Sequence, residues 1–297
     1  MTAPPPGRAL ITGAGGQVGL TLQERMPDGW AVTACRADEL DVTQADRVRA
    51  VLRRERPTVV IHTAAYTAVD AAEASAERAE AVNALGTAHV AQAAREVGAR
   101  LVHVSTDFVF DGASGRPYAP DDRPNPLGVY GRTKLVAEQE AARILGDRAL
   151  IVRTAWVYSR HGRNFVLTML RLMRERDEVG VVSDQIGTPT WARSLADTLW
   201  TAAGRPELHG VLHWTDAGAA SWYDFAVAVQ EEALAIGLLD RPVPIRPIRT
   251  EEYPTAARRP AHSVLDKSST WATLGGPVRH WRQCLRLMLR ELAVGRA

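Results

Sequence analysis

Thr12-Gly13-Ala14-Gly15-Gly16-Gln17-Val18-Gly19 stands directly after a short apolar run, Arg8 to Thr12, and opens a helical period, Gln17 to Met26. Glycines at 13, 16 and 19 recur at every third position across this strand-to-helix junction. Glycine allows the tight turn and a positive φ, its missing side chain lets backbone N–H groups approach an anion, and the helix N-terminus adds partial positive charge. At the first βα turn of a chain such a loop is suited to cradle the pyrophosphate of a dinucleotide. A glycine triplet by itself also fits a plain structural turn, so its surroundings have to discriminate.

Working outward, four further apolar runs have the length of buried strands: Trp30 to Ala34, Thr58 to His62, Arg100 to Ser105 and Ala149 to Arg153. Helices are expected near Gln44 to Arg54, Ala76 to Val97 and Tyr130 to Leu145. This alternation predicts an α/β fold, a doubly wound parallel sheet of the Rossmann type. Beyond about Trp156 the regularity breaks into polar and proline-rich pieces such as Val181 to Pro189 and Ile245 to Pro260. These predict a smaller, partly discontinuous C-terminal substrate-binding lobe. A helix near Trp191 to Ala203 and a strand near Gly210 to Trp214 are expected to return to the sheet. The expected division is therefore 1–155, with 191–214 returning, as the NAD(P)-binding domain, and 156–190 with 215–297 as the lobe.

Composition bounds the possibilities. The 297 residues, 46% hydrophobic and 24% charged, suffice for a full core and a second lobe. A net charge of +2 leaves no nucleic-acid footprint, so any basic function is local. The two cysteines, Cys35 and Cys284, lie outside any metal-ligand spacing and fit buried thiols in a reducing compartment. The proline-rich start, Met1 to Arg8, lacks the pattern of a signal peptide, and no apolar run approaches the roughly 20 residues of a membrane span. A cytoplasmic location without membrane or nucleic-acid partners is expected. All but two of the 36 basic side chains are arginine; the lysines are Lys134 and Lys267.

Chemistry concentrates at two places. The second strand ends in Cys35-Arg36, with Asp38 and Glu39 just beyond. An arginine there pairs with the 2′-phosphate of NADPH, whereas the neighbouring acids leave NADH open. Farther on, Tyr130 and Lys134 stand four apart at the start of a helix, on one face. A phenol is a poor acid or base at neutral pH, and an adjacent ammonium is expected to lower its pKa. Thr106, at the end of the fourth strand, can donate a hydrogen bond to a carbonyl oxygen gathering charge. With six tyrosines and two lysines, a Tyr-x-x-x-Lys arises by chance only about 0.04 times. Thr106, Tyr130 and Lys134 are accordingly the candidate catalytic set, and the eight histidines, His62 and His103 among them, are expected to be hydrogen-bonded structural residues.

Longer strings make the pattern more specific. Val60-Ile61-His62-Thr63-Ala64-Ala65-Tyr66-Thr67-Ala68-Val69-Asp70, Val104-Ser105-Thr106-Asp107-Phe108-Val109-Phe110-Asp111-Gly112 and Pro124-Asn125-Pro126-Leu127-Gly128-Val129-Tyr130-Gly131-Arg132-Thr133-Lys134 follow the glycine loop. Arg153-Thr154-Ala155-Trp156-Val157-Tyr158, Asp184-Gln185-Ile186-Gly187-Thr188-Pro189-Thr190, Ser221-Trp222-Tyr223 and Tyr253-Pro254-Thr255-Ala256-Ala257-Arg258-Arg259-Pro260 extend the match over nearly the whole chain. With these the sequence resembles the extended short-chain dehydrogenase/reductases and, within them, the dTDP-4-dehydrorhamnose reductase family. The resemblance implies hydride transfer from NADPH (or NADH) to C4 of dTDP-4-dehydro-β-L-rhamnose, with Tyr130 delivering the proton and Lys134 also holding the nicotinamide ribose. It implies that Gly15, Gly16, Gln17 and Val18 cradle the pyrophosphate, that Asp41 and Val42 hold the adenine, and that Ala64, Ala65 and Tyr66 line the path to the nicotinamide. Asp107 and Trp156 are then expected against the sugar, with Asn164 and Arg259 toward the nucleotide diphosphate. Asp41 as a helix cap, Trp156 as core packing and Arg259 as partner of Glu251 or Glu252 are the structural alternatives.

Two departures from the family pattern stand out. Phe108 replaces the usual tyrosine, and because a sugar-nucleotide dehydratase would need a glutamate there, dehydration is disfavoured. Some relatives form a dimer bridged by Mg²⁺ on three glutamates; here Thr21 and Arg193 occupy the first two positions and only Glu291 is retained. Too few carboxylates remain for an oxygen-seeking cation, so no metal and a monomer or weak homodimer are expected. Reduction of a different dTDP-4-keto-6-deoxy sugar, a 4-epimerase, or a non-enzymatic NADP-binding regulatory subunit are the competing functions.

Overall fold

Each apolar run of the first half becomes a strand: β1 Arg8–Thr12, β2 Ala31–Cys35, β3 Val59–His62, β4 Arg100–Thr106 and β5 Ala149–Thr154. The computed structural model describes residues 7–275 and 279–294. Gly210–His213 forms β6, which pairs in parallel with β5 as expected for a segment returning to the sheet. The sheet is parallel throughout, in the order β6-β5-β4-β3-β1-β2. After β2 the chain crosses back over β1 to begin β3, so the strand order reverses between β1 and β3. In open α/β sheets a ligand crevice forms outside the C-terminal ends of the strands at such a point.

Alternation along the strands feeds two cores. Leu10, Val60 and Leu101 face one side, where Leu52 of α2 (Ala45–Glu55), Val90 of α3 (Gly86–Val97) and Ala141 of α4 (Val129–Leu145) cover them. Ile11, Ile61, Val102 and Leu150 face the other, against Leu22 of α1 (Gln17–Glu24) and Leu195 and Leu199 of Ala192–Ala203. Both faces are thus dry, which is why these strands read as continuous apolar runs.

Two boundaries differ from expectation for local reasons. Helix α1 ends at Glu24 rather than Met26, because Pro27 disfavours helical geometry in the residue before it. The helix expected over Ala76 to Val97 is interrupted by a π-helical turn, Ala81–Leu85, and an unanticipated short helix, Val69–Ala74, precedes it. That π turn carries Asn83, whose role appears below.

The C-terminal lobe has its own apolar cluster, in which Tyr158 and Leu170 meet Phe225 and Val229 of Trp222–Leu234 and Met288 of Trp281–Val294. Short strands, Val179–Val182 with Ile245–Ile248 and Ile186–Gly187 with Ala220–Ser221, shape its rim. The division is not clean, since Leu274, at the end of Ser268–Leu274, packs against the Rossmann core. No helix among the described residues is long and apolar enough to cross a membrane. Both cysteines are free and buried.

Candidate active site

The glycine loop lies at the switch point with no room for side chains. Gly13 adopts φ +69°, and a Cβ there would stand 2.6 Å from the backbone nitrogen of Ala64. A Cβ on Gly19 would stand 2.4 Å from the carbonyl oxygen of Gly13. The turn closes by Gly16 N donating to Gly13 O at 3.0 Å, and Ala14 N is tied to Cys35 O at 3.0 Å. Gly16 caps α1 without any side-chain hydrogen bond, so the helix N-terminus is left for an anion. The Arg36 side chain lies over the loop, its Nε 3.3 Å from where a Gly15 Cβ would be. This cradle fits a dinucleotide pyrophosphate, with a guanidinium at its adenosine end.

Asp41 closes the turn before α2, whose N-cap, Gln44, has no side-chain cap hydrogen bond. Its Oδ1 accepts from the Thr43 backbone at 2.9 Å and the Thr43 hydroxyl at 2.8 Å, and these bonds hold its carboxyl below the usual range. Val42 packs against Gly86 at the start of α3, and its carbonyl bonds His89 Nδ1 at 3.0 Å. Any contact of this pair with an adenine therefore falls to the backbone and to the Val42 side chain.

A buried polar chain joins the loop to the catalytic helix. Thr12 Oγ1 bonds His62 Nδ1 at 2.6 Å, His62 Nε2 bonds Thr87 Oγ1 at 3.1 Å, and Thr87 donates to Asn83 O at 2.6 Å. The Asn83 amide accepts from Tyr66 N at 2.8 Å and donates to Tyr66 O at 3.2 Å and Thr133 Oγ1 at 3.0 Å. One side chain thus fixes both the Ala64-Ala65-Tyr66 turn and helix α4. Burial, and secondarily Lys134, push His62 down to about 3, so it is neutral.

Thr106 and Tyr130 meet because Gly131 follows Tyr130. A Cβ at Gly131 would lie 2.2 Å from Phe108 O, so only glycine lets α4 rest on the turn that carries Thr106. Thr106 Oγ1 accepts from Phe108 N at 3.1 Å and donates to Asp107 Oδ1 at 3.1 Å, while the Phe108 ring meets Tyr130 edge-on at 5.7 Å. Lys134 Nζ donates to Val104 O at 2.7 Å and lies 3.0 Å from His103 Nε2. Since burial keeps His103 neutral, the lysine donates to it, and the third ammonium proton has no partner among the described residues.

The expected lowering of the tyrosine does not occur. Burial pushes Tyr130 up to about 12, with the Thr106 hydroxyl pulling it back and Asp107 raising it further; Lys134 is not among the causes. The ammonium instead faces β4, and burial brings it down to about 8 against the field of Glu138. Tyr130 is thus a firmly protonated phenol, an acid rather than a latent phenolate. Asp107 is buried and pushed up to about 6 by desolvation. Its Oδ2 has no hydrogen bond within ordinary geometry, although the Ser263 hydroxyl is near.

The remaining candidates lie on the lobe side. Trp156 adopts φ +48°, uncommon for a bulky residue, stacks on Trp222 at 3.5 Å between centroids, and fits against Gly187, where a Cβ would be 2.5 Å from its ring. Asn164 is spent on structure: it accepts from Leu167 N at 3.1 Å as a helix cap and donates to Gln17 Oε1 at 3.0 Å and Ser159 O at 2.8 Å. It thereby clamps the glycine-loop helix to the start of the lobe helix. Arg259 pairs with neither Glu251 nor Glu252 but with Asp70, at 2.7 Å. Arg193 pairs with Glu291, so a guanidinium stands beside the one retained glutamate. No group of three metal-binding side chains occurs among the described residues. Sequence reasoning missed Asn83, Gly131 and Glu138, and foresaw His103 as a hydrogen-bonded residue without its partner Lys134; of the three missed, only Glu138 had a readable signal, the spacing 130, 134, 138.

Comparison with known proteins agrees with this geometry. The family described as RmlD substrate binding domain matches residues 7–294. The chain is 40% identical to a dTDP-4-dehydrorhamnose reductase of Aggregatibacter actinomycetemcomitans, over 94% of this chain and 97% of the relative. It is 41% identical to a dTDP-4-keto-6-deoxy-D-glucose reductase of Streptomyces niveus, over 94% and 95%. The crystal structure of the Bacillus anthracis dTDP-4-dehydrorhamnose reductase in complex with NADP superposes with a TM-score of 0.90 at 36% identity, covering 96% of this chain and 99% of that one. A glycine cradle at the switch point, a Thr–Tyr–Lys set beside it and full-length similarity together place the chain in the dTDP-4-dehydrorhamnose reductase family of Rossmann-type oxidoreductases.

Proposed function

We propose that the protein reduces the C4 keto group of dTDP-4-dehydro-β-L-rhamnose to give dTDP-β-L-rhamnose, using NADPH, as the last step of dTDP-rhamnose formation. The observation that carries this reading is a protonated Tyr130 beside the Thr106 hydroxyl, at the sheet end where the glycine cradle opens. When bound, the cofactor supplies a hydride to the carbonyl carbon. Gly13, Gly15, Gly16, Gln17, Val18 and Gly19 would hold its pyrophosphate, and Ala64, Ala65 and Tyr66 would flank its nicotinamide half. The chain supplies the rest. Thr106 donates to the carbonyl oxygen, Tyr130 delivers its phenolic proton there, and Lys134 offers its unshared proton to a ribose hydroxyl. A phenol of about 12 donates well only to a stronger base, which a nascent alkoxide is.

Arg36, whose backbone N donates to Glu39 while its guanidinium makes no hydrogen bond or ion pair among the described residues, would select NADPH through the 2′-phosphate. Asp107, with its orphaned oxygen, and Trp156 would face the sugar, and Arg259 would exchange Asp70 for a diphosphate oxygen. We take 1–155 with 191–214 as the cofactor-binding unit and 156–190 with 215–297 as the substrate lobe, and infer a monomer or weak homodimer, because Arg193 neutralises Glu291. Loss of 340 nm absorbance on mixing NADPH, protein and dTDP-4-dehydro-β-L-rhamnose tests the reading. Tight cofactor binding without turnover would favour a regulatory subunit instead. A second reading, reduction of another dTDP-4-keto-6-deoxy sugar, is favoured by the Streptomyces niveus relative, and a panel of such substrates with NADPH and NADH separates the two.

A further inference from the structure

Tyr130, Lys134 and Glu138 are spaced i, i+4, i+8 on α4, and all three lie on its sheet-facing side. Glu138 is 4% exposed. Its Oε1 accepts from Ser105 Oγ at 2.5 Å, and Arg153 grips both oxygens, Nη2 to Oε2 at 2.7 Å and Nε to Oε1 at 3.0 Å. Ser105 directly precedes Thr106, and Arg153 is on β5, itself held by Pro120 O at 3.2 Å. Glu138 therefore binds the catalytic helix to the strand end that carries Thr106.

We propose that Glu138 is a positioning residue for the reduction: its buried carboxylate is the counter-charge that keeps Lys134 protonated and, through Ser105, sets Tyr130 against Thr106. This rests on the catalytic roles given above. The groups facing Lys134 leave no other carboxylate for the task. From β4 comes His103 and from β3 His62, stacked on it at 5.2 Å, and burial and the lysine's own field keep both neutral. From α4 come Tyr130, a neutral phenol, and Glu138; from β5 comes Arg153, of the wrong sign. Asp107, at the strand end, acts on Tyr130 and is not a source of the lysine's field. A buried ion pair is a poor source of stability compared with apolar packing, so its placement one turn from Lys134 calls for a functional reason.

The chain's two lysines make the test direct. With ¹³Cε-labelled lysine, only Lys134 and Lys267 give side-chain resonances, and Lys267→Arg assigns them. The wild-type Lys134 signal is expected to titrate near 8. Glu138→Gln should move it down by about one pH unit or more and shift the alkaline limb of kcat/KM to lower pH by the same amount. Glu138→Asp should restore most of both. Because Glu138→Gln strands the Arg153 charge and could unfold, the double variant Glu138→Gln, Arg153→Met relieves the stranded cation; its Lys134 signal should titrate below that of Arg153→Met alone, in which Glu138 keeps its bond from Ser105. Equal Lys134 titrations in the folded double variant and in Arg153→Met overturn the proposal. The titration needs neither substrate nor cofactor, so it stands or falls apart from the choice of sugar.

Discussion

Two arginine–carboxylate pairs, one beneath α4 and one where the lobe meets the helix after β3, differ sharply in their settings. Arg153–Glu138, under the catalytic helix, is 4% and 5% exposed at its side chains, whereas Arg259–Asp70, joining the lobe to the helix after β3, is 24% and 45% exposed. The first belongs to a dry scaffold in which the elements carrying Thr106, Tyr130 and Lys134 are held by Ser105, His103 and Asn83. The second ties down a strap, residues 251–256, whose side chains are all exposed. Chemistry that needs fixed distances is built where packing over-determines position. In the function proposed above, recognition of a bulky nucleotide sugar falls to contacts that can exchange one anion for another.

The contrast can be broken most severely at Tyr130. Tyr130→Phe should reduce turnover by about 10²–10⁴-fold while cofactor affinity, read by fluorescence titration, stays within about twofold; near-normal turnover would remove Tyr130 as the acid. Gly131→Ala forces a Cβ to within 2.2 Å of Phe108 O. It should destabilise the fold by about 1–3 kcal/mol in denaturant melts and lower kcat by about a hundredfold through misplacement of the phenol. A silent Gly131→Ala would show that α4 is not rigidly seated.

Smaller effects sharpen the comparison. Arg36→Ala should weaken NADPH by about 10–100-fold and leave NADH nearly unchanged, so equal losses for both would refute a 2′-phosphate contact. Asp107 is raised to about 6 from the ordinary 3.8, so the native state holds the proton more tightly than the unfolded chain. Its contribution to stability is fully present below about 4 and is lost as pH rises to about 6, leaving a buried charge that costs energy at neutral pH. Asp107→Asn should therefore raise stability at pH 7.5 by about 1–2 kcal/mol while lowering kcat/KM. A destabilised Asp107→Asn would contradict the desolvation cause. At the exposed pair, Arg259→Ala should change the melting midpoint by less than about 1 kcal/mol but raise KM for the sugar nucleotide; the reverse pattern would make it a structural tie.

Much of this was legible from order along the chain. Strands buried on both faces read as apolar runs, and the returning strand at Gly210–His213 followed from the same signal. The glycine loop was legible because its constraint is local: positive φ at Gly13 and close approach at Gly19 leave no other residue type. Asp41 and Asn164 show why residue type leaves such positions open: short polar side chains close turns and cap helices as readily as they meet ligands, and neighbours such as Thr43 and Gln17 supply the bonds they make here. The sign of the Tyr130 shift was missed for a related cause. Four-residue spacing shows that Tyr130 and Lys134 share a helix face, not that the ammonium turns toward the phenol, and here Val104 O and His103 draw it to the strand.

What sequence alone determined, then, is the order of strands along the chain, the position of the glycine turn and the candidates for the acid–base residues, because each follows from backbone demands or residue type within a few positions. Tertiary structure decided the charge state of those residues and their alignment. Burial, and partners more than 20 positions away such as Ser105 for Glu138 and Asp70 for Arg259, set the local field, and a field is a property of packing in space rather than of spacing along a chain.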